Sequence, residues 1–208
     1  MCVIVYKPAA SKMPSLDDLR KCFEANPDGA GLMWPGDDGY VHIRKGLMTW
    51  DAFESAVLSR DFAGKPVVFH FRISTQGGIQ PGLTHPFPVC GSYEAMRSLC
   101  VKSRMGLAHN GIIGLTSDGS KDHNDTMRFV KDFAEALKSK ESRRIVDSGV
   151  ADESGECMLD GNEYSSMKRG TECYLLEKSP NSAIIVEDGP GRTMTIFINR
   201  AQFLKEIA

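Results

Sequence analysis

The sequence predicts a layered α+β domain. Three observations lead there. Short apolar runs rich in β-branched residues stand near the start, as in Val3-Ile4-Val5-Tyr6, and again near the end, as in Ala183-Ile184-Ile185-Val186. Amphipathic helical patterns, each opened by a capping residue, lie between them. The 208 residues, 41% of them hydrophobic, can fill one sizeable core, so a single domain over 1–208 is expected.

The elements follow in order. Val3 to Tyr6 reads as the first strand. After a polar link carrying Pro8 and Pro14, Ser15 and Asp18 have the spacing of a capped helix start, and Leu16, Leu19, Cys22 and Phe23 recur on one helical face. Asn26-Pro27-Asp28-Gly29 ends that helix, because Pro27 has no amide hydrogen and Gly29 tolerates positive φ. Gly31 to Trp34 and Tyr40 to Ile43 flank Pro35 to Gly39, which predicts a hairpin with a five-residue loop. A second helix is expected from near Thr49, turning Trp50, Phe53 and Val57 inward. Pro66 to Ile73 is nearly continuous in apolar residues, the pattern of a strand covered on both faces.

Ser74 to Pro88, rich in Gly, Thr and Pro, reads as a loop. Gly106 to Gly114 reads as two short strands joined tightly at the turn dipeptide Asn110-Gly111. Asn124 is placed to cap a helix with an apolar stripe of Phe129, Val130, Phe133, Ala134 and Leu137. The polar stretch 138–156 is expected to be a surface loop or insertion. Strand-like runs follow at Cys173 to Leu176, Ala183 to Val186 and Met194 to Ile198, with Gly189-Pro190-Gly191 among the turn residues. No internal repeat or low-complexity tract interrupts the chain.

The totals exclude several classes. A net charge of −2 supplies no basic excess for a nucleic-acid surface. No apolar run reaches the roughly 18 residues of a bilayer span, and the N-terminus lacks the pattern of a signal peptide. Neither nucleic acid nor membrane is therefore expected as a partner, and a reducing cytoplasm is the expected location. The six cysteines, Cys2, Cys22, Cys90, Cys100, Cys157 and Cys173, include no C-x-x-C pair and are irregularly spaced. That argues against a zinc site. No metal or cofactor is expected, and the cysteines other than Cys2 are read as buried thiols.

Polar residues in four places stand out, with Cys2 as a fifth. Removal of Met1 would leave Cys2 with a thiol and a free α-amino group, a nucleophile and a base in one residue. Arg72, followed by Ser74 and Thr75, ends an apolar strand, where a guanidinium either is solvated or grips a carboxylate in a two-bond fork. Asn110-Gly111 is either a plain turn or a pair of donors for a developing oxyanion. Asp125 opens a helix, where it either complements the helix dipole or accepts bonds from an ammonium. His85 is either a base or a packed side chain. Acyl transfer from an α-amino acid amide would use all of these features together.

The ordered blocks Met1-Cys2, Asn26-Pro27-Asp28-Gly29-Ala30-Gly31, His70-Phe71-Arg72-Ile73-Ser74-Thr75, His85-Pro86-Phe87, Leu107-Ala108-His109-Asn110-Gly111 and Asn124-Asp125-Thr126 resemble the motifs of class II glutamine amidotransferases. The resemblance covers roughly residues 2–135. It implies a four-layer αββα sandwich of the N-terminal nucleophile hydrolase type. It also implies that Cys2 attacks the glutamine side-chain amide to form a γ-glutamyl thioester, with its own amine as base. Asn110 and Gly111 would hold the oxyanion. Arg72, with Ser74 and Thr75, would bind the α-carboxylate, and Asp125 the α-ammonium. His85 falls in the substrate-binding set, and Asn26 where the family has a polar residue near the nucleophile.

The chain departs from the family pattern at Gly114, where a further Asn is common, and at Met127, where an acidic residue is common. Gln80-Pro81-Gly82-Leu83-Thr84 also lacks an asparagine often found there. These departures bear on substrate recognition and remove no catalytic group. Large members of the family carry a synthase domain that 208 residues do not accommodate. A stand-alone glutaminase-type domain is therefore expected, passing ammonia to a separate synthase subunit or hydrolysing glutamine or another γ-glutamyl amide. The rival from another class is a catalytically silent binding or regulatory protein of the same fold. A papain-like pairing of Cys90 or Cys100 with His109 lacks the flanking signatures of such enzymes.

Overall fold

The computed structural model describes residues 2–9, 11–74, 78–110 and 120–136, together with the strand backbones of 171–175, 181–188 and 193–199. The first half runs β1 (Val3–Lys7), α1 (Leu16–Ala25), β2 (Ala30–Pro35), β3 (Val41–Leu47), α2 (Trp50–Leu58) and β4 (Val67–Phe71). A 3-10 turn at Pro81–Leu83 leads to β5 (Phe87–Pro88), α3 (Tyr93–Arg97), β6 (Cys100–Ser103), β7 (Met105–Asn110) and α4 (Asp125–Ala136). The last strands are β8 (Thr171–Leu175), β9 (Asn181–Asp188) and β10 (Thr193–Asn199). The chain is thus a mixed α+β protein with two five-stranded antiparallel sheets, ordered β1-β4-β2-β3-β6 and β5-β7-β10-β9-β8.

The helix starts form where the sequence placed them. Ser15 Oγ accepts the Asp18 amide at 3.1 Å, and Thr49 Oγ1 accepts the Ala52 amide at 3.3 Å. Each satisfies a donor that the first helical turn leaves without an intrahelical partner. At the far end of α1 the chain turns through Gly29, whose φ of 105° a β-carbon would resist.

Alternation along β4 sends Val67, Phe69 and Phe71 to one face, where they meet Leu19 and Phe23 of α1 and Phe53 and Val57 of α2. The rings interlock, with Phe53 5.0 Å from Phe71 and Phe23 edge-on to Phe71 at 6.4 Å. Full burial of each such phenylalanine contributes roughly 2–3 kcal/mol. The opposite face carries Met33, Val41, Ile43 and Val68, packed on Ala108 of β7 in the second sheet. Every β4 residue is therefore buried, as its continuous apolar run predicts.

Some elements differ from expectation. The hairpin's second strand continues past Ile43 to Leu47, because Lys45 occupies an inward position of the alternation. Its ammonium lies over the Phe87 ring at 4.0 Å and donates to the carbonyls of Gly82, at 3.0 Å, and Met96. The expected loop between Ser74 and Pro88 contains the 3-10 turn and β5, and the segment after it contains α3 and β6. Cys100, expected to be buried, is exposed on β6. The predicted strand after Gly111, Gly114, Leu137, the 138–156 stretch, Cys157 and the 189–191 turn lie outside the described residues.

Candidate active site

The sheet register assembles the site. β1 pairs with β4 so that Val3 faces Phe71, which brings Cys2 to the strand end where Arg72 and Ile73 leave the sheet. The Ile73 amide donates to Cys2 Sγ at 3.4 Å, and the thiol reaches the Ile73 carbonyl at 3.5 Å. Burial pushes the thiol above its ordinary value of 9.0, against opposing pulls from the Ile73 backbone and the Arg72 charge. At neutral pH the group is thus a protonated thiol that needs a base to become a nucleophile.

Arg72 is only 3% exposed. Its backbone is laced to the turn after α1: its amide donates to the Gly29 carbonyl at 2.9 Å and its carbonyl accepts the Asp28 amide at 3.1 Å. The guanidinium donates from Nη1 to the Gly78 carbonyl at 2.8 Å and from Nη2 to Ser74 Oγ at 3.1 Å. Burial lowers its pKa from the ordinary guanidinium value, while the neighbouring Cys2, Asp28 and Asp125 act in the opposite direction. Asp28 also accepts the Ser74 amide at 2.7 Å. One residue is therefore bonded through its backbone to the α1 turn, with its cation in the field of the β1 start and the α4 start.

At that helix start, the capping role belongs to Asn124. Its Oδ1 accepts the Met127 amide at 2.9 Å, and its Nδ2 donates to the Leu83 carbonyl at 3.3 Å. Asp125, 7% exposed, accepts the Thr126 amide at 2.8 Å. Met127 is fully buried, so the position where an acidic residue is common serves here as core. Asn110, at the end of β7, has a buried Oδ1 with no hydrogen-bond partner among the described residues. Gly111 and Thr75 lie outside the described residues.

Two expected site residues have structural surroundings. Asn26 closes α1, with its amide donating to the Cys22 carbonyl at 3.2 Å. His85 is 5% exposed, stacked on His70 with ring centroids 4.2 Å apart and edge-on to Phe87 at 4.7 Å. Burial holds its imidazole well below 6.5, and the neighbouring His70, His109, Arg72 and Lys45 act in the same direction. The packed reading of His85 therefore fits this geometry better than a base. The loop bearing it can settle on β2 because position 31 is glycine, whose missing β-carbon would lie 2.2 Å from the His85 carbonyl oxygen.

Sequence reasoning missed three participants. Asp28 reads as part of the turn that ends α1, the expected hairpin strand stops at Ile43, short of Lys45, and His70 falls within a nearly continuous apolar run. His70 is fully buried and shares a hydrogen bond of 3.0 Å with the His109 carbonyl. Its position within the block His70-Phe71-Arg72 was the available signal. The alternative cysteines do not make a comparable site. Cys100 is exposed on an edge strand, while His109 is buried with Nδ1 3.5 Å from Thr126 Oγ1. Cys90 directs its thiol to the Ser92 carbonyl at 3.6 Å.

Among the described residues no group of three or more His, Cys, Asp or Glu is placed to hold a metal ion. No helix among them is long and apolar enough to cross a membrane. No family model, curated protein or solved structure matches the chain.

Proposed function

We propose that the chain is a glutamine amidotransferase-type amide hydrolase with Cys2 as its nucleophile and a four-layer αββα architecture. The observation that carries this reading is the placement of the Cys2 thiol on the Ile73 backbone, beside a buried Arg72 whose field includes Asp125. A thiol and a cation at one strand end, with the carboxylate of the α4 start in the cation's field, match the three polar groups of glutamine: amide, α-carboxylate and α-ammonium. The layered arrangement is supported by α1 and α2 on one face of the first sheet and the second sheet on the other.

In this mechanism Cys2 becomes N-terminal when Met1 is removed. Its thiol proton passes to the α-amine, through a bridging water that avoids a strained small ring, and the sulfur attacks the side-chain amide carbon. Asn110, with Gly111, receives the oxyanion. Collapse breaks the C–N bond, and the amine's proton leaves with ammonia. Water then cleaves the γ-glutamyl thioester to glutamate and restores the thiol. Arg72, with Ser74 and Thr75, holds the α-carboxylate, and Asp125 the α-ammonium. The ammonia goes to a separate synthase subunit or to solvent, and another γ-glutamyl amide is the alternative substrate.

Glutamate release from L-glutamine by wild type and Cys2→Ala tests the reading. The expected result is turnover that Cys2→Ala reduces by on the order of 1000-fold or more. No wild-type turnover, with glutamine bound equally by both proteins, would replace it with a silent binding protein.

A further inference from the structure

His70 lies on the face of β4 that looks toward the second sheet, the same face as Val68, and its ring is fully enclosed. Its Nε2 reaches across the sandwich to the His109 carbonyl at 3.0 Å. The Val89 amide donates to the Met105 carbonyl at 3.0 Å, and Phe87 pairs with Leu107. Antiparallel alternation therefore directs the carbonyls of residues 105, 107 and 109 toward the β5 side. β5 begins only at Phe87, so no β5 amide is paired opposite His109. The imidazole N–H meets that carbonyl one peptide before Asn110.

We infer that His70 is a positioning residue for Asn110, fixing the end of β7 through the His109 carbonyl and thereby the Asn110 donor presented to the reacting amide. The inference rests on the glutaminase reading. A carbonyl acceptor fixes the tautomer, with the proton on Nε2, and leaves Nδ1 as an acceptor without a partner among the described residues. The stacked His85 ring holds the His70 ring plane. The His85 carbonyl meets the glycine surface at Gly31, so that loop, β4 and β7 form one support. The peptide linking His109 to Asn110 carries the bonded carbonyl on one side and the Asn110 amide on the other. A shift at the carbonyl thus moves that amide and the side chain beyond it.

The role makes a geometric demand that two variants separate. A glutamine at 70 can place an amide N–H near the Nε2 position, whereas an asparagine reaches only to the Nδ1 position. His70→Asn is expected to lower kcat for glutamine hydrolysis by on the order of 10- to 100-fold with KM changed less than about twofold, because a small displacement costs alignment and not binding. His70→Gln is expected to recover most of the loss. A second readout does not depend on turnover: hydrogen exchange of the peptide spanning 107–110 should accelerate in His70→Asn and not in His70→Gln. Equal kcat in all three proteins, or loss through KM alone, overturns the positioning role. Exchange unchanged in His70→Asn overturns it as well. If the exchange contrast is present but wild type does not hydrolyse glutamine, the structural support stands and the glutaminase reading, with the catalytic sense of this role, falls.

Discussion

Gly31→Ala tests the support beneath the site. A β-carbon at residue 31 would lie 2.2 Å from the His85 carbonyl oxygen, 2.7 Å from Lys45 Cβ and 3.0 Å from the Arg44 carbonyl oxygen. Two of these are backbone atoms, so no flexible side chain can swing aside. Ordinary contact begins near 3.4 Å, which requires the His85 carbonyl to retreat by more than 1 Å. That retreat would disturb the His85–His70 stack and the edge contact with Phe87. Overpacking of this kind costs about 3 kcal/mol, at the upper end of its usual range. In a chain of this size that corresponds to a fall in Tm of about 6–12 °C. Gly91→Ala is the control, since nothing lies within 4 Å of a β-carbon there, and its Tm should move by less than about 2 °C. Thermal melts followed by circular dichroism compare the three proteins. A Gly31→Ala melt within about 2 °C of wild type would refute the claimed seating of the His85 loop on β2.

The buried histidines predict acid sensitivity. Burial lowers His70 from 6.5 to about 3 and holds His85 well below 6.5. The unfolded chain therefore binds more protons than the folded one between these values, and stability present above pH 6.5 falls as pH drops toward 3. For His70 alone the loss between pH 6.5 and pH 5 is about 2 kcal/mol. Urea midpoints at pH 7 and pH 5 should differ accordingly, and equal midpoints would contradict neutral burial. Arg72→Lys should raise KM for glutamine by roughly tenfold or more, because an ammonium cannot reproduce a two-bond fork; steady-state kinetics with an unchanged KM would make Arg72 structural. Asn124→Ala removes the α4 cap and the link to Leu83. It should lower the unfolding free energy by about 1–2 kcal/mol in urea titration, and no loss would mean that α4 starts without that cap.

The sequence made the regular elements legible where periodicity and capping agreed. Ser15, Thr49 and Asn124 marked helix starts that form, and the unbroken run before Arg72 gave a strand buried on both faces. β5, with two residues, and α3, with five, are too short to show a period. β6 is an edge strand of half-buried and exposed residues, so no apolar alternation announces it. The length of β3 beyond Ile43 was not legible, because Lys45 holds an inward position only through carbonyl partners that no local pattern encodes. In the site, the proximity of Asp28 to Arg72 depends on the register of β1, β4 and β2, which no local pattern encodes. His70 was similarly masked: its partner is a carbonyl on another sheet, and a carbonyl leaves no signature in the sequence. Asn26 illustrates the reverse, a suggestive side chain whose amide closes its own helix.

The central claim is that Cys2, freed of Met1, is the nucleophile. Intact-protein mass spectrometry after incubation with a glutamine analogue bearing an electrophile at the side-chain carbonyl tests it most directly. The expected result is a chain lacking Met1 that carries one adduct, mapped to Cys2 and prevented by excess glutamine. Retention of Met1 in protein that hydrolyses glutamine at full rate, or an adduct on Cys90 or Cys100 with Cys2 unmodified, would contradict the account.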